Sequence, residues 1–161
     1  MQTNERIESA IRQGSIPDDI EVCVEIWVNA LQARDGAVDA ESMAQRVRSS
    51  FERPIVRFAI TDAPHRGFAL VESGLADPAE AFLHYLAVDP ATTKRGLGRA
   101  LLADAIEHTG RRGFRSLMLE VRANNTRAIE LYTRAGFVPF GEPVPHPLAG
   151  YPMQAYRLTL Q

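Results

Sequence analysis

Residues 88–102 read VDPATTKRGLGRALL. The apolar run before this stretch predicts a strand that ends at Asp89 and Pro90, and the apolar spacing after it predicts a helix that begins at Leu97. Gly96 and Gly98 would let the free N–H groups at that helix start approach an anion with no Cβ atom in the way. Three basic residues add positive charge at the same place: Lys94, Arg95 and Arg99. The stretch therefore predicts an anion-binding turn between a strand and a helix.

Two other glycine-rich motifs do not fit this turn. A dinucleotide fingerprint needs a third small residue where Leu101 stands, and it should open the first strand–helix unit instead of following residue 90. A nucleotide-binding P-loop needs Gly-Lys-Ser/Thr, which does not follow here. Taken alone, the turn is also compatible with an ordinary strand–helix connection whose basic side chains are solvated.

Length and composition favour one globular domain over residues 1–161. The chain is 45% hydrophobic and 24% charged, which excludes disordered and fibrous classes. Its single cysteine, Cys23, cannot form an internal disulfide or a cysteine-rich zinc site, so we expect a buried thiol, no metal and a cytoplasmic location. With no apolar run of membrane-spanning length, we expect no membrane association.

Charge is divided unevenly along the chain. Residues 1–90 carry 8 arginines and 15 acidic residues, whereas residues 91–134 carry 9 basic and 4 acidic residues. A basic centre within a chain of net charge −2 fits a local anion site better than a nucleic-acid track, which usually needs a basic domain overall. We therefore expect no nucleic-acid partner.

Hydrophobic periodicity and turn residues predict an α/β fold that starts with strands and continues as strand–helix–strand. The predicted strands are Arg6–Ile11, Ile55–Ile60, Gly67–Glu72, Ala81–Val88, Leu117–Val121, Phe137–Phe140 and Met153–Leu160. The predicted helices start at Asp18 or Asp19, cover Glu41–Phe51 and Leu97–Thr109 with Gly110 just after the end, and follow an Asn124 or Asn125 cap up to Gly136. The proline-rich residues 143–150 are predicted to form a loop.

Three segments in the correct order resemble the GCN5-related N-acetyltransferase (GNAT) superfamily. They are the strand FLHYLAV at residues 82–88 with Asp89-Pro90, the glycine turn, and NTRAIELY at residues 125–132 leading to Ala135-Gly136-Phe137. The resemblance covers about residues 80–140. The glycine turn departs from the usual pattern, because Thr93 stands where the family has Arg or Gln and Lys94 where many members have glycine.

The resemblance implies a mixed, mostly antiparallel sheet of six to seven strands with about four helices, splayed where acetyl-CoA binds. The Val88 amide would face the thioester carbonyl, where negative charge develops during the reaction. Asn125 would either bind the pantetheine arm or serve only as a helix cap. The residues expected to bind acetyl-CoA are Leu86, Ala87, Val88, Thr93, Lys94, Arg95, Gly96, Leu97, Gly98, Arg99, Asn125 and Ala128.

Three residues are candidates for moving protons. Tyr132 matches the family tyrosine that protonates the leaving thiolate, although an aromatic residue on the buried side of a helix is also ordinary core. His84 resembles the histidine base of arylalkylamine acetyltransferases, and an unperturbed histidine titrates near ~6.5. Glu120 resembles the glutamate base of ribosomal-protein alanine acetyltransferases. The choice between His84 and Glu120 stays open at this point.

The function implied by the resemblance is transfer of an acetyl group from acetyl-CoA to a primary amine, by direct attack through a tetrahedral intermediate. A small-molecule acceptor is favoured because no strongly acidic groove is evident in the sequence. The alternatives are a protein N-terminal or lysine acetyltransferase and a CoA-binding sensor module without catalysis. The acceptor itself is not identified, and a homodimer is left open.

Overall fold

The computed structural model describes residues 10–74, 76–92, 95–147 and 150–161. The helices of this part of the chain are α1 (Ile20–Asp35), α2 (Ala40–Ser50), α3 (Leu97–Arg111) and α4 (Thr126–Arg134). The strands are β1 (Arg12–Gln13), β2 (Ile55–Thr61), β3 (Gly67–Ser73), β4 (Glu80–Val88), β5 (Ser116–Arg122), β6 (Val138–Pro145) and β7 (Pro152–Thr159).

All seven strands form one sheet in the order β1-β2-β3-β4-β5-β7-β6. Neighbouring strands are antiparallel except for β4 and β5, which are parallel and are joined through α3. A parallel pair needs such a crossover, because a short turn reverses the chain. The mixed, mostly antiparallel sheet with four helices confirms the predicted fold class.

Each face of the sheet is covered by two helices and carries its own apolar core. On one face, Leu101 and Ala105 of α3 and Tyr132 of α4 pack with Leu83 and Leu119. On the other face, residues of α1 and α2 pack with β2, β3 and β4: Cys23, Ile26, Val47, Ile60, Phe68 and Leu70. Full burial of such side chains contributes about 1.5–3 kcal/mol each, so the two cores hold the sheet between its helix layers. Cys23 is fully buried, as predicted.

Two of the predicted boundaries differ from the structure. Residues 6–9 of the predicted first strand lie outside the described residues, and β1 is instead the short segment Arg12–Gln13. The prediction that Gly110 follows the third helix is wrong, because α3 continues to Arg111. Gly113 has the positive φ of 89° that a helix-terminating glycine adopts.

The predicted loop at residues 143–150 is wrong for its first part. β6 continues to Pro145, with Val144 opposite Met153 and Pro145 opposite Pro152. β6 is the last strand of the sheet, and a proline is tolerated on an edge strand because no further strand requires its missing N–H. No helix in the described part of the chain is long and apolar enough to cross a membrane.

Candidate functional site

A gap between β4 and β5 is the main opening in the sheet. The two strands pair only at Glu80–Ser116, Ala81–Leu117 and Phe82–Met118, although β4 continues to Val88 and β5 to Arg122. On its other side β4 stays paired with β3 up to Val88. Beyond Phe82, the edge of β4 that faces β5 therefore has no strand partner in the described ranges. Such an edge can pair with an extended ligand as if the ligand were an added strand.

The N-terminus of α3 is the next helix start in the chain after the open end of β4. Gly96 adopts a left-handed conformation with φ 87°, and no side chain caps the helix. The Ala100 N–H makes the first helical bond, to the Gly96 carbonyl at 3.0 Å, so the N–H groups of Leu97, Gly98 and Arg99 point out of the helix end. No acidic residue stands in the first turn, so nothing there repels an anion.

The predicted anion-binding residues are brought together as far as the structure describes them. Arg95 and Arg99 are exposed beside this helix end, whereas Thr93 and Lys94 lie outside the described residues. A Cβ atom built on Gly98 would lie 3.7 Å from Cγ2 of Val88, so the helix start packs against the end of β4. The arrangement fits a diphosphate next to a strand-like arm, which is what the diphosphate and the adjoining pantetheine arm of coenzyme A offer.

Asp89 anchors the start of the turn. Its side chain is only 1% exposed and accepts hydrogen bonds from the Arg66 guanidinium and from the Ala91 N–H. Burial works to raise the pKa of Asp89, but these donors outweigh burial and hold the pKa below its usual range. Thr92 is fixed as well, because its carbonyl oxygen lies 2.8 Å from Nδ1 of His65. The turn therefore leaves β4 in a fixed direction.

His84 occupies a β-bulge in β4. Leu70 of β3 lies opposite Tyr85 and Val71 lies opposite Leu83, so His84 is the extra residue. Leu83 before the bulge packs into the α3–α4 core, whereas Tyr85 after it packs into the α1–α2 core. Bulges redirect side chains and occur often beside active sites. The sequence pattern alone did not reveal this bulge.

The His84 ring is packed among charged and aromatic neighbours. Its Nδ1 lies 3.1 Å from Oε1 of Glu72, and the ring stacks on Tyr85 with centroids 4.5 Å apart. Burial lowers the pKa of His84 and the charges of Arg53 and Arg46 lower it further, while Glu72 works in the opposite direction. The pKa lies below its ordinary value, so the ring is neutral at pH 7 and able to accept a proton.

Glu120 stands across the gap from His84. His84 is two residues beyond the last paired position on β4, Phe82, and Glu120 is two residues beyond the matching Met118 on β5. Glu120 is exposed, and its neighbours Leu119 and Val121 belong to the α3–α4 core, so its side chain points to the opposite face.

Tyr132 lies on the inner side of α4. Its ring is buried and meets Phe137 edge to face at 5.8 Å, and burial raises the pKa of its hydroxyl to about 12. The hydroxyl is therefore protonated at neutral pH, as a proton donor must be. Asn125 is the cap of α4, since its side chain accepts a hydrogen bond from the Ala128 N–H at 3.2 Å. Its second predicted role, in binding pantetheine, stays a prediction.

A cluster of polar and aromatic side chains borders the gap near the end of β5. Arg122 forms two hydrogen bonds to Asp35 at the end of α1, 2.9 and 2.7 Å long, and its guanidinium lies 3.8 Å from the centre of the Tyr151 ring. The Tyr151 ring in turn lies 4.8 Å from His146.

Within the described ranges, no group of three or more histidine, cysteine or acidic residues could hold a metal ion.

Comparisons with known proteins agree with this geometry. The acetyltransferase (GNAT) family model matches residues 27–137. The ribosomal protein bS18-alanine N-acetyltransferase of Escherichia coli K12 is 52% identical over 58 residues, which is 36% of this chain and 39% of that protein. A mycothiol acetyltransferase of Clavibacter sepedonicus is 35% identical over 120 residues, 69% of this chain and 38% of that protein. The matches thus span less than half the length of these curated relatives.

Solved structures share the fold over almost the whole chain. The Escherichia coli ribosomal-protein-S18-alanine N-acetyltransferase has a TM-score of 0.72 and 26% identity, covering 94% of this chain and 93% of that chain. A Salmonella typhimurium protein solved with its cofactor acetyl-CoA has a TM-score of 0.71 and 20% identity, with coverage of 94% and 93%, and shows the fold alone. The open β4 edge and the uncapped α3 fit this fold, and the family model covers more than half of the chain. The chain therefore belongs to the GNAT family of acetyltransferases.

Proposed function

We propose that this protein transfers an acetyl group from acetyl-CoA to the primary amine of a small molecule. The observation that carries the proposal is the continuity of two ligand-binding features. The unpaired edge of β4 beyond Phe82 ends at Val88, and the uncapped N-terminus of α3 packs against that residue through Gly98. A ligand with an extended arm along the β4 edge and a diphosphate at the α3 N-terminus would use both features.

The residues fit coenzyme A as a ligand. The N–H groups of Leu97, Gly98 and Arg99 would hold the diphosphate, with Arg95 beside them, because a helix N-terminus attracts negative charge. Leu86, Ala87 and Val88 would pair with the pantetheine arm through backbone groups on their free side. The bound thioester supplies an activated acetyl group, and a backbone N–H of β4 would stabilise the negative charge that develops on its oxygen.

The proton transfers are assigned to two side chains. His84 is the proposed base because it is neutral, lies at the bulge beside the gap and is only 19% exposed. Tyr132 is the proposed acid that returns a proton to the sulfur, since its hydroxyl stays protonated at neutral pH. Glu120 remains the alternative base, because it occupies the matching position on the other strand.

A small amine is favoured by the charges near His84. Arg53 and Arg46 both act on the ring, and their positive charges disfavour the lysine-rich segments of a protein acceptor more than a single ammonium group. The second candidate acceptor is a protein N-terminus. It is favoured by one observation, the 52% identity over 58 residues with the ribosomal protein alanine acetyltransferase.

The test is an acceptor panel with acetyl-CoA in which release of free thiol is measured. We expect thiol release that depends on a small amine and saturates with acetyl-CoA, with peptides as poorer acceptors. Tight acetyl-CoA binding without thiol release from any acceptor would support a CoA-binding sensor instead. Absence of saturable acetyl-CoA binding would contradict the proposal altogether.

A further inference from the structure

Glu72 of β3 is a buried carboxylate whose main contact is His84. Its side chain is only 5% exposed, and Oε1 lies 3.1 Å from Nδ1 of His84 and 3.2 Å from Nη1 of Arg53. Its other oxygen, Oε2, is buried and has no hydrogen-bond partner in the part of the chain that the structure describes. A buried carboxylate without full hydrogen bonding is costly, so its position calls for an explanation.

The contact fixes which nitrogen of the His84 ring carries the proton. An ionised carboxylate only accepts hydrogen bonds, so the Nδ1 atom of the neutral ring must be the donor. The Nε2 atom is then unprotonated. That nitrogen is the one able to take a proton from an acceptor amine, directly or through a water molecule.

Glu72 is also the negative charge in direct contact with the His84 ring, whereas Glu120 stands across the gap on β5. The ring faces Glu72 on β3, Arg46 on α2 and Arg53 between α2 and β2, and it stacks on Tyr85 of its own strand. Burial and both arginines oppose protonation, whereas Glu72 favours it. When His84 accepts a proton, the new positive charge forms beside this carboxylate and is stabilised by it.

We propose that Glu72 is a positioning residue for acetyl transfer: through Nδ1 it holds the His84 ring with an unprotonated Nε2, and its charge sets how readily the ring accepts a proton. Glu72 is too buried to meet the acceptor itself. The inference rests on the proposed function, since it gives His84 the role of base.

The experiment compares Glu72→Gln with the parent protein by two measurements. The first is the nitrogen NMR titration of His84, which reports the ring tautomer and pKa without any turnover. The second is the pH profile of kcat. Glu72→Gln keeps the side-chain shape but removes the charge, so we expect the pKa of His84 to fall and kcat to fall about 10- to 100-fold, with little change in the KM for acetyl-CoA.

Asp104→Asn is a matched control. Asp104 is a half-buried carboxylate that bonds Arg57 and lies 3.5 Å from Nδ1 of His108, away from the gap. We expect the Asp104→Asn protein to be less stable than the parent protein but to show the same titration of His84. Arg53→Gln is the second variant, on a side chain 49% exposed that folding should tolerate. This variant removes the positive charge of Arg53 and leaves Glu72 in contact with His84, so the pKa of His84 should rise.

A double variant separates positioning from structure. If Glu72 acts through His84, Glu72→Gln should cost little further activity in a His84→Gln background. An unchanged His84 titration in Glu72→Gln, no rise in Arg53→Gln, or a lowered pKa with kcat unaltered would each overturn the proposal. If the parent protein acetylates no amine, the proposed function fails by itself, while the NMR titrations still decide whether Glu72 sets the state of His84.

Discussion

Gly98 at the start of α3 lies against Val88 at the end of β4, with room for one more methyl group between them. A Cβ atom on Gly98 would lie 3.7 Å from Cγ2 of Val88, an ordinary contact distance. A side chain at this position is therefore compatible with the folded protein. A branched side chain there would crowd a phosphate group bound close to the N–H of residue 98.

Gly98→Val should therefore separate binding from folding. Because valine is no less favourable than glycine in a helix, we expect Tm to change little. Acetyl-CoA binding should weaken about tenfold, which equals about 1.4 kcal/mol, as measured by calorimetry. Gly110→Val, in the same helix with open space around its Cβ position, is the control and should leave binding unchanged. Parent-like affinity in a folded Gly98→Val protein would contradict anion binding at this turn.

Tyr132→Phe tests the proposed acid. The substitution keeps the packing against Phe137 and removes only the hydroxyl, so we expect kcat to fall about 10²- to 10⁴-fold while acetyl-CoA binding stays nearly constant. Tyr156→Phe, a second buried tyrosine that lies on β7, is the matched control. A parent-like rate in Tyr132→Phe at every pH would mean that Tyr132 is only part of the core.

His84→Gln and Glu120→Gln distinguish the two candidate bases. The pKa of His84 is lowered below its ordinary value, so the acidic limb of the parent pH–rate profile should lie below pH 6.5. If His84 is the base, its variant loses this limb and regains activity at high pH, where the acceptor amine is already deprotonated. Glu120→Gln should then keep the parent profile. The reverse result would make Glu120 the base, and two unchanged profiles would exclude both residues.

Asp89→Asn should destabilise the protein and loosen the glycine turn. The substitution removes the buried carboxylate from the Arg66 guanidinium, which then keeps only Glu25, an exposed partner at 3.0 Å. Losing one of these two partners costs roughly 1–3 kcal/mol, which denaturant unfolding would measure. Glu107→Gln, which breaks an exposed pair with Arg111 on α3, is the control and should change little. Equal stability of the two variants would show that the Asp89 pair does not anchor the turn.

Most helices and strands were predictable from local sequence because their apolar spacing and end signals agree. Asn125 and Gly136 are examples: the first caps α4, and the second follows it with a φ of 104°. The extension of β6 through Pro143 and Pro145 was not predictable in this way. Whether a proline-rich segment pairs depends on its place at the sheet edge, and that place is set by the other strands.

The candidate site was predictable only where neighbouring residues in sequence form it. The glycine turn and the α4 cap are local, and the quoted motifs located them. The link between Glu72 and His84 depends on the register of β3 against β4 and on the bulge, which no local pattern specifies. The available signal was a single acidic residue closing the apolar run GFALVES of residues 67–73, and its partner was not apparent from sequence.

The three residue pairs that join β4 to β5 have a mechanical consequence. They are the only strand-to-strand link, within the described residues, between a four-stranded half of the sheet and a three-stranded half. Ala81 and Leu117 in this link are fully buried. A larger side chain at either position would therefore push the two halves of the sheet apart where they are joined. We therefore expect the side-chain volumes at Ala81 and Leu117 to influence how widely β4 and β5 separate at the other end of the gap.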